Sequence, residues 1–318
     1  MPALEVPLDA LRVYRGASPC PPDIDAFWDA AVAEVYAMDD HFTMTPADFA
    51  ISGVECFDCT FTGVGGARIY FKYLRPARKA KNRILLKFHG YSCNCGCWVD
   101  ELPAVYAGFA VAMMDCRGQG GKSEDVGGAW NGAKNGQIVR GLESGDPKKL
   151  IYVATFKDCV QMGKIVAALP ENDETDISTT GASQGGGLSL AAASLLPNVR
   201  RCVTHFPFLC DYRAAYRNLD GSVAFGEIKD YFFWHDPYHE HEDEIFSLLG
   251  YIDVQNLVHR ITARVMMATG LQDVIVSPVT QFAAFNKIVS QKEHVLLPDY
   301  GHEFLNPFPD RAYRFLMD

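Results

Sequence analysis

Residues 176–196, DISTTGASQGGGLSLAAASLL, place one serine at a forced bend between a strand and a helix. Ile and Thr at 177–180 favour extended backbone, while the Ala- and Leu-rich stretch 188–196 favours helix. The turn between them must be made by Gly181-Ala182-Ser183-Gln184-Gly185, a G-x-S-x-G string. Glycines two residues either side of Ser183 leave room for a tight bend with a strained centre, which lifts the hydroxyl above the sheet edge. The helix that follows turns its unpaired N–H groups toward the same space, where they face any developing negative charge.

A neutral serine hydroxyl is a poor nucleophile, so it needs a base to take its proton and a carboxylate to orient that base. On an α/β-hydrolase fold the chain order is Ser, then Asp or Glu, then His, with the two partners on loops after late strands. The apolar run 264–269 ends in Gly270-Leu271-Gln272-Asp273, and the run 293–298 ends in Asp299-Tyr300-Gly301-His302-Glu303. Asp273 and His302 therefore follow two successive strand ends in the required order, and the helix-like residues 278–289 supply the crossover between parallel strands. Asp253 and Asp299 are the competing acids, and Glu303 reads as a loop or supporting group. The oxyanion donors should be the N–H of the residue after the nucleophile and one from the loop after the strand 83–88. These are Gln184 and, after His89-Gly90, Tyr91. His89 precedes the serine and reads as a loop-shaping residue rather than the base.

The strand candidates are 56–61, 68–74, 83–88, 109–114, 176–180, 201–206, 264–269 and 294–298. From the third onward they alternate with helical segments, which predicts a mostly parallel central sheet with helices on both faces. The 318 residues, 48% hydrophobic, suffice for a large core, and the shared set of catalytic loops favours a single domain over 1–318 with an N-terminal helical extension over about 1–50. A net charge of −10, from 29 Lys and Arg against 39 Asp and Glu, argues against nucleic acid and anionic membrane surfaces as partners. No apolar run approaches the length of a membrane span, and no export signal is legible, so the cytoplasm is the expected compartment.

Ten cysteines in such a chain read as free thiols rather than a disulfide framework. Cys93, Cys95 and Cys97 alternate beside the proposed oxyanion loop, at a spacing that suits a tetrahedral zinc poorly, and no metal or other cofactor is expected. Cys56 and Cys59 lie on one strand and should face opposite ways. Gly118 to Ser123 imitates a phosphate loop but misses both glycine patterns. His235, His239 and His241 lack metal-site spacing and sit in an acidic segment that reads as a solvated helix start.

Together these residues resemble carbohydrate esterase family seven, the acetyl xylan esterases and cephalosporin C deacetylases. The likeness is carried by Arg117-Gly118-Gln119, by Gly181-Ala182-Ser183-Gln184-Gly185 and by His302-Glu303, with supporting strings at 22–28, 140–147 and 250–253. The resemblance implies a serine esterase that removes acetyl groups from small hydroxylated substrates, with Ser183, Asp273 and His302 as triad and Tyr91 and Gln184 as oxyanion donors. It also implies a ring-shaped hexamer, and it carries over Arg117 and Gln119 as motif residues, expected to brace loops. The three cysteines at 93–97 depart from the family pattern. Tyr91 and the segment Phe206-Pro207-Phe208 are candidates to wall a small acyl pocket. The rival readings are another serine hydrolase of the same fold, such as an exopeptidase or thioesterase, and a catalytically silent binding module.

Overall fold

The computed structural model describes residues 6–78, 80–125, 136–217 and 223–318. One sheet contains β1 (Phe42–Pro46), β2 (Val54–Thr62), β3 (Arg68–Pro76), β4 (Asn82–Phe88), β5 (Phe109–Met114), β6 (Asn172–Ala182), β7 (Val199–His205), β8 (Arg264–Gly270) and β9 (Lys292–Leu297). The helices are α1 (Leu8–Val13), α2 (Ile24–Ala37), α3 (Leu102–Tyr106), α4 (Ile151–Ala168), α5 (Gln184–Leu195), α6 (Tyr212–Arg217), α7 (Val223–His235), α8 (Glu242–Leu249), α9 (Pro278–Lys287) and α10 (Phe308–Met317). The strand order is β1-β2-β3-β5-β4-β6-β7-β8-β9. Pairing is antiparallel from β1 to β5 and parallel from β5 to β9. This is the α/β-hydrolase arrangement that the elbow predicts.

All eight expected segments are strands, most of them a residue or more longer at one or both ends. β1 is additional. Four of its five residues are exposed, so it shows no apolar alternation. It forms as an edge strand through pairing with β2, including a 2.6 Å bond between the Thr43 and Thr60 hydroxyls.

The core lies in two layers because the parallel strands are covered on both faces. In β5 every residue is buried, with Ala110, Ala112 and Met114 in one layer and Phe109, Val111 and Met113 in the other. The same period of two puts Cys59 in the first layer and Cys56 in the second. α4 is buried almost all round, with α2 lying over it and the rings of Trp28 and Phe156 5.5 Å apart. Trp28 Nε1 also donates to the Tyr251 carbonyl at 2.9 Å, which ties the N-terminal segment to the body. Since β4 to β9 run parallel, the loops after them gather at the carboxyl edge of the sheet, where α/β proteins build their sites.

Candidate active site

Ser183 follows β6 with φ 55° and ψ −122°, a strained pair for a residue with a Cβ. Its backbone is held on both sides. Ser183 N donates to the His205 carbonyl at 3.2 Å, and the Ser183 carbonyl accepts from Gly187 N at 3.1 Å and Phe208 N at 2.9 Å. The glycines of the elbow are required by space rather than by dihedral freedom. A Cβ on Gly185 would lie 2.0 Å from the Phe88 carbonyl oxygen, and one on Gly181 would lie 2.4 Å from the Gly185 carbonyl oxygen.

On the neighbouring loops, His302 Nδ1 lies 2.8 Å from Asp273 Oδ2. The Asp273 side chain is fully buried, while His302 keeps 18% of its side-chain surface open. Asp273 Oδ1 accepts from Ile275 N at 2.9 Å and Val276 N at 2.8 Å, so one oxygen of the carboxylate is held by its own loop. This matches a His tautomer with the proton on Nδ1 and the lone pair on Nε2. No hydrogen bond joins Ser183 Oγ to the imidazole among the described residues. Phe206, with φ 36°, places its ring 4.3 Å from that of His302. The competing acids are elsewhere: Asp299 is exposed, and buried Asp253 accepts from the backbone of Asp211 and Tyr212. Glu303 accepts from Gly301 N at 3.0 Å and shapes the loop.

The loop after β4 is braced from three directions. His89 Nδ1 lies 2.7 Å from the Gly90 carbonyl and Nε2 lies 2.9 Å from Cys116 N. Nε2 must therefore accept and Nδ1 donate, and burial pushes the His89 pKa down, which favours that neutral form. The Tyr91 side chain is tied down at its tip: its hydroxyl donates to Glu227 Oε1 at 2.6 Å and accepts from Gln137 N at 3.0 Å. Gln119 Oε1 accepts from Ser92 N at 2.9 Å, and Gln119 and Gln184 exchange side-chain amide bonds at 2.8 and 3.2 Å. Gln119 therefore links the β4 loop to the elbow, and Tyr152 OH adds a 2.7 Å bond to Gln184 Oε1. Among the described residues, neither Tyr91 N nor Gln184 N donates to a backbone acceptor.

The sequence model of the family described as Acetyl xylan esterase (AXE1) matches residues 1–318. The chain belongs to the acetyl xylan esterase family. Acetyl xylan esterase 1 from Thermoanaerobacterium sp. JW/SL YS485 is 46% identical, with a TM-score of 0.94 over 98% of each chain. The acetyl xylan esterase from Paenibacillus sp. R4 is 34% identical, with a TM-score of 0.91 over 98% of this chain and 99% of that one. Acetyl esterase Axe7A of Xylanibacter ruminicola is 28% identical over 305 residues, 89% of this chain. This chain spans 63% of the length of that relative. An α/β hydrolase at 17% identity and TM-score 0.58 shares the fold alone.

In this member of the family the Arg117 guanidinium is fully buried on Asp158 of α4, with two bonds of 2.7 Å and a third of 3.0 Å to the Val64 carbonyl. Burial pushes the Asp158 carboxyl up while the facing guanidinium pulls it down. We expect Arg117→Met to destabilise the fold by about 3–5 kcal/mol, because it strands a buried carboxylate. Denaturant unfolding checks this, and a loss below about 1 kcal/mol speaks against it. The sequence signal for the pair is weak, since Asp158 follows Lys157 in α4 and nothing in the chain spacing marks Arg117 as its partner.

Phe208 is buried against Tyr91, ring to ring at 5.5 Å, and belongs to the core; of the aromatic candidates Tyr91, Phe206 and Phe208, Phe206 is the one whose ring meets His302 among the described residues. Glu227, the anchor of Tyr91, has no sequence signal, being one acid among many in an amphipathic stretch. Cys93 and Cys97 are exposed and Cys95 half-buried, with Cys95 N bonded to Asp115 Oδ1 at 2.7 Å. Among the described residues, no group of three or more His, Cys, Asp or Glu is placed to hold a metal ion. The glycine-rich run packs against this loop instead of cradling a phosphate: a Cβ on Gly120 would meet the Ser92 carbonyl at 2.5 Å. His241 precedes α8, whose first turn holds Glu242, Asp243 and Glu244. No helix among the described residues is long and apolar enough to cross a membrane.

Proposed function

We propose that this protein is a serine carboxylic ester hydrolase that removes acetyl groups from small acetylated carbohydrates such as xylo-oligosaccharides, and from cephalosporin C as an ester of the same class. The observation that carries the reading is the buried Asp273 carboxylate 2.8 Å from His302 Nδ1, on loops at the same carboxyl edge of the sheet as a serine held at a strained elbow. Ser183 Oγ attacks the acetyl carbonyl carbon while His302 Nε2 takes its proton. The resulting oxyanion is met by the N–H groups of Tyr91 and Gln184. Collapse breaks the ester C–O bond, His302 returns the proton to the leaving alcohol, and water then releases acetate from the acyl-serine by the same steps. A ring-shaped homo-hexamer belongs to the same reading by family resemblance, and the cytoplasm as its compartment by the sequence reading that finds no export signal.

Phe206 stands against the imidazole and is the candidate to close the acyl side. A pocket that fits one methyl must strain or open for each further methylene, a change worth about 1–3 kcal/mol, or roughly 10–200-fold in kcat/KM. We therefore expect kcat/KM to fall from acetyl through propionyl and butyryl to octanoyl esters of one alcohol. A rise with chain length contradicts the small pocket, and efficient cleavage of an aminoacyl amide in the same assay favours a peptidase.

A further inference from the structure

We infer that Gln281 is a positioning residue for the acid and base of this site: its side-chain amide, locked from behind by Thr269 and His294, holds the Asp273 carboxylate in the rotamer that orients His302. The inference rests on the triad reading above.

Oδ1 of Asp273 is occupied by two backbone N–H groups, which leaves Oδ2 to orient the imidazole. Behind that oxygen lies Gln281 of α9, fully buried. Its Nε2 donates to the Val276 carbonyl at 2.7 Å and reaches Asp273 Oδ2 at 3.4 Å. One amide nitrogen thus spans the carboxylate and the residue whose own N–H binds the other carboxylate oxygen. With Nε2 serving as donor, Oε1 is the acceptor, and the Thr269 hydroxyl donates to it at 2.8 Å. Thr269 has one proton. The approach of His294 Nε2 to the same hydroxyl at 2.9 Å therefore requires an N–H on His294.

Each proton along His294, Thr269, Gln281 and Asp273 then has one direction. The His294 ring is held between Phe282 and Phe285 of α9, at centroid distances of 4.5 and 4.1 Å. Burial and nearby Lys292 push its pKa down to about 3, so it stays a neutral donor over the working range. Thr269, Gln281 and the Asp273 side chain have no solvent exposure, which places Thr269 and Gln281 out of reach of substrate. Their effect on the reaction passes through Asp273 and His302. A leucine at 281 would leave the Val276 carbonyl without this donor, deprive the Thr269 hydroxyl of its acceptor and remove the donor behind Asp273 Oδ2, so that only Oδ1 is held.

The test uses the intact enzyme with 4-nitrophenyl acetate as substrate and a fluorophosphonate as label for Ser183. Gln281→Leu should lower kcat about 10–100-fold with KM within about twofold, because misplacement of the base affects the reacting geometry rather than binding. The labelling rate should fall in parallel. Thr269→Val, isosteric but without the hydroxyl, should follow in the same direction, while Thr269→Ser should keep wild-type kcat. The low-field proton resonance of His302 Nδ1–H should survive in Thr269→Ser and broaden or vanish in Thr269→Val. If Gln281→Leu fails to fold, the two Thr269 variants decide. A folded Gln281→Leu or Thr269→Val enzyme with wild-type kcat and labelling rate overturns the inference while the triad reading stands. A wild-type enzyme that is not labelled at all overturns both.

Discussion

Ser183→Ala is expected to lower kcat for an acetyl ester by about three orders of magnitude or more, with the fold intact. Alanine keeps a Cβ at φ 55°, so the strain of the elbow is unchanged and only the nucleophilic oxygen is lost. The backbone bonds of residue 183 to His205, Gly187 and Phe208 do not involve the side chain, and Tyr91 and Gln184 can still present their N–H groups. Substrate binding should therefore largely survive. Steady-state kinetics beside a thermal melt checks this, and a folded variant keeping more than about a tenth of wild-type kcat would remove Ser183 from the mechanism.

Asp273→Asn should slow turnover almost as severely, by about 10³–10⁴. The asparagine oxygen can keep the bonds from Ile275 N and Val276 N, which turns its NH₂ toward His302 Nδ1. A donor in that place forces Nδ1 to accept, the imidazole proton moves to Nε2, and the nitrogen that must receive the serine proton is no longer a base. Asp299→Asn should leave kcat near wild type, since Asp299 is exposed and a surface carboxylate with no bond to the imidazole does not set its tautomer. Comparing the two variants on one acetyl ester decides the matter, and a reversed order of effects would move the acid to Asp299.

What was legible in the sequence was local or ordered along the chain. The elbow could be read because G-x-S-x-G between strand and helix is a contiguous pattern, and Asp273 and His302 because each follows a strand end in the chain order the fold demands. Edge strand β1 was not legible. An exposed five-residue segment has no burial pattern, and only the pairing surface of β2 makes it a strand. Phe208 could not be told from Phe206 for a related reason, since two rings two residues apart take different places when φ turns positive at Phe206.

Fold class, the bend at Ser183 and the order of the residues on the loops are thus written along the chain, because each depends on local propensity, periodicity and chain order. Which polar groups meet is settled by packing in three dimensions. Glu227 lies 136 residues from Tyr91 and Asp158 lies 41 from Arg117, and Thr269, Gln281 and His294 come together from β8, α9 and β9. The physical reason is that a buried hydrogen bond is selected by the partner that happens to face the group after the sheet has formed. Chain spacing carries no record of that partner, whereas desolvation makes its absence costly in the folded state.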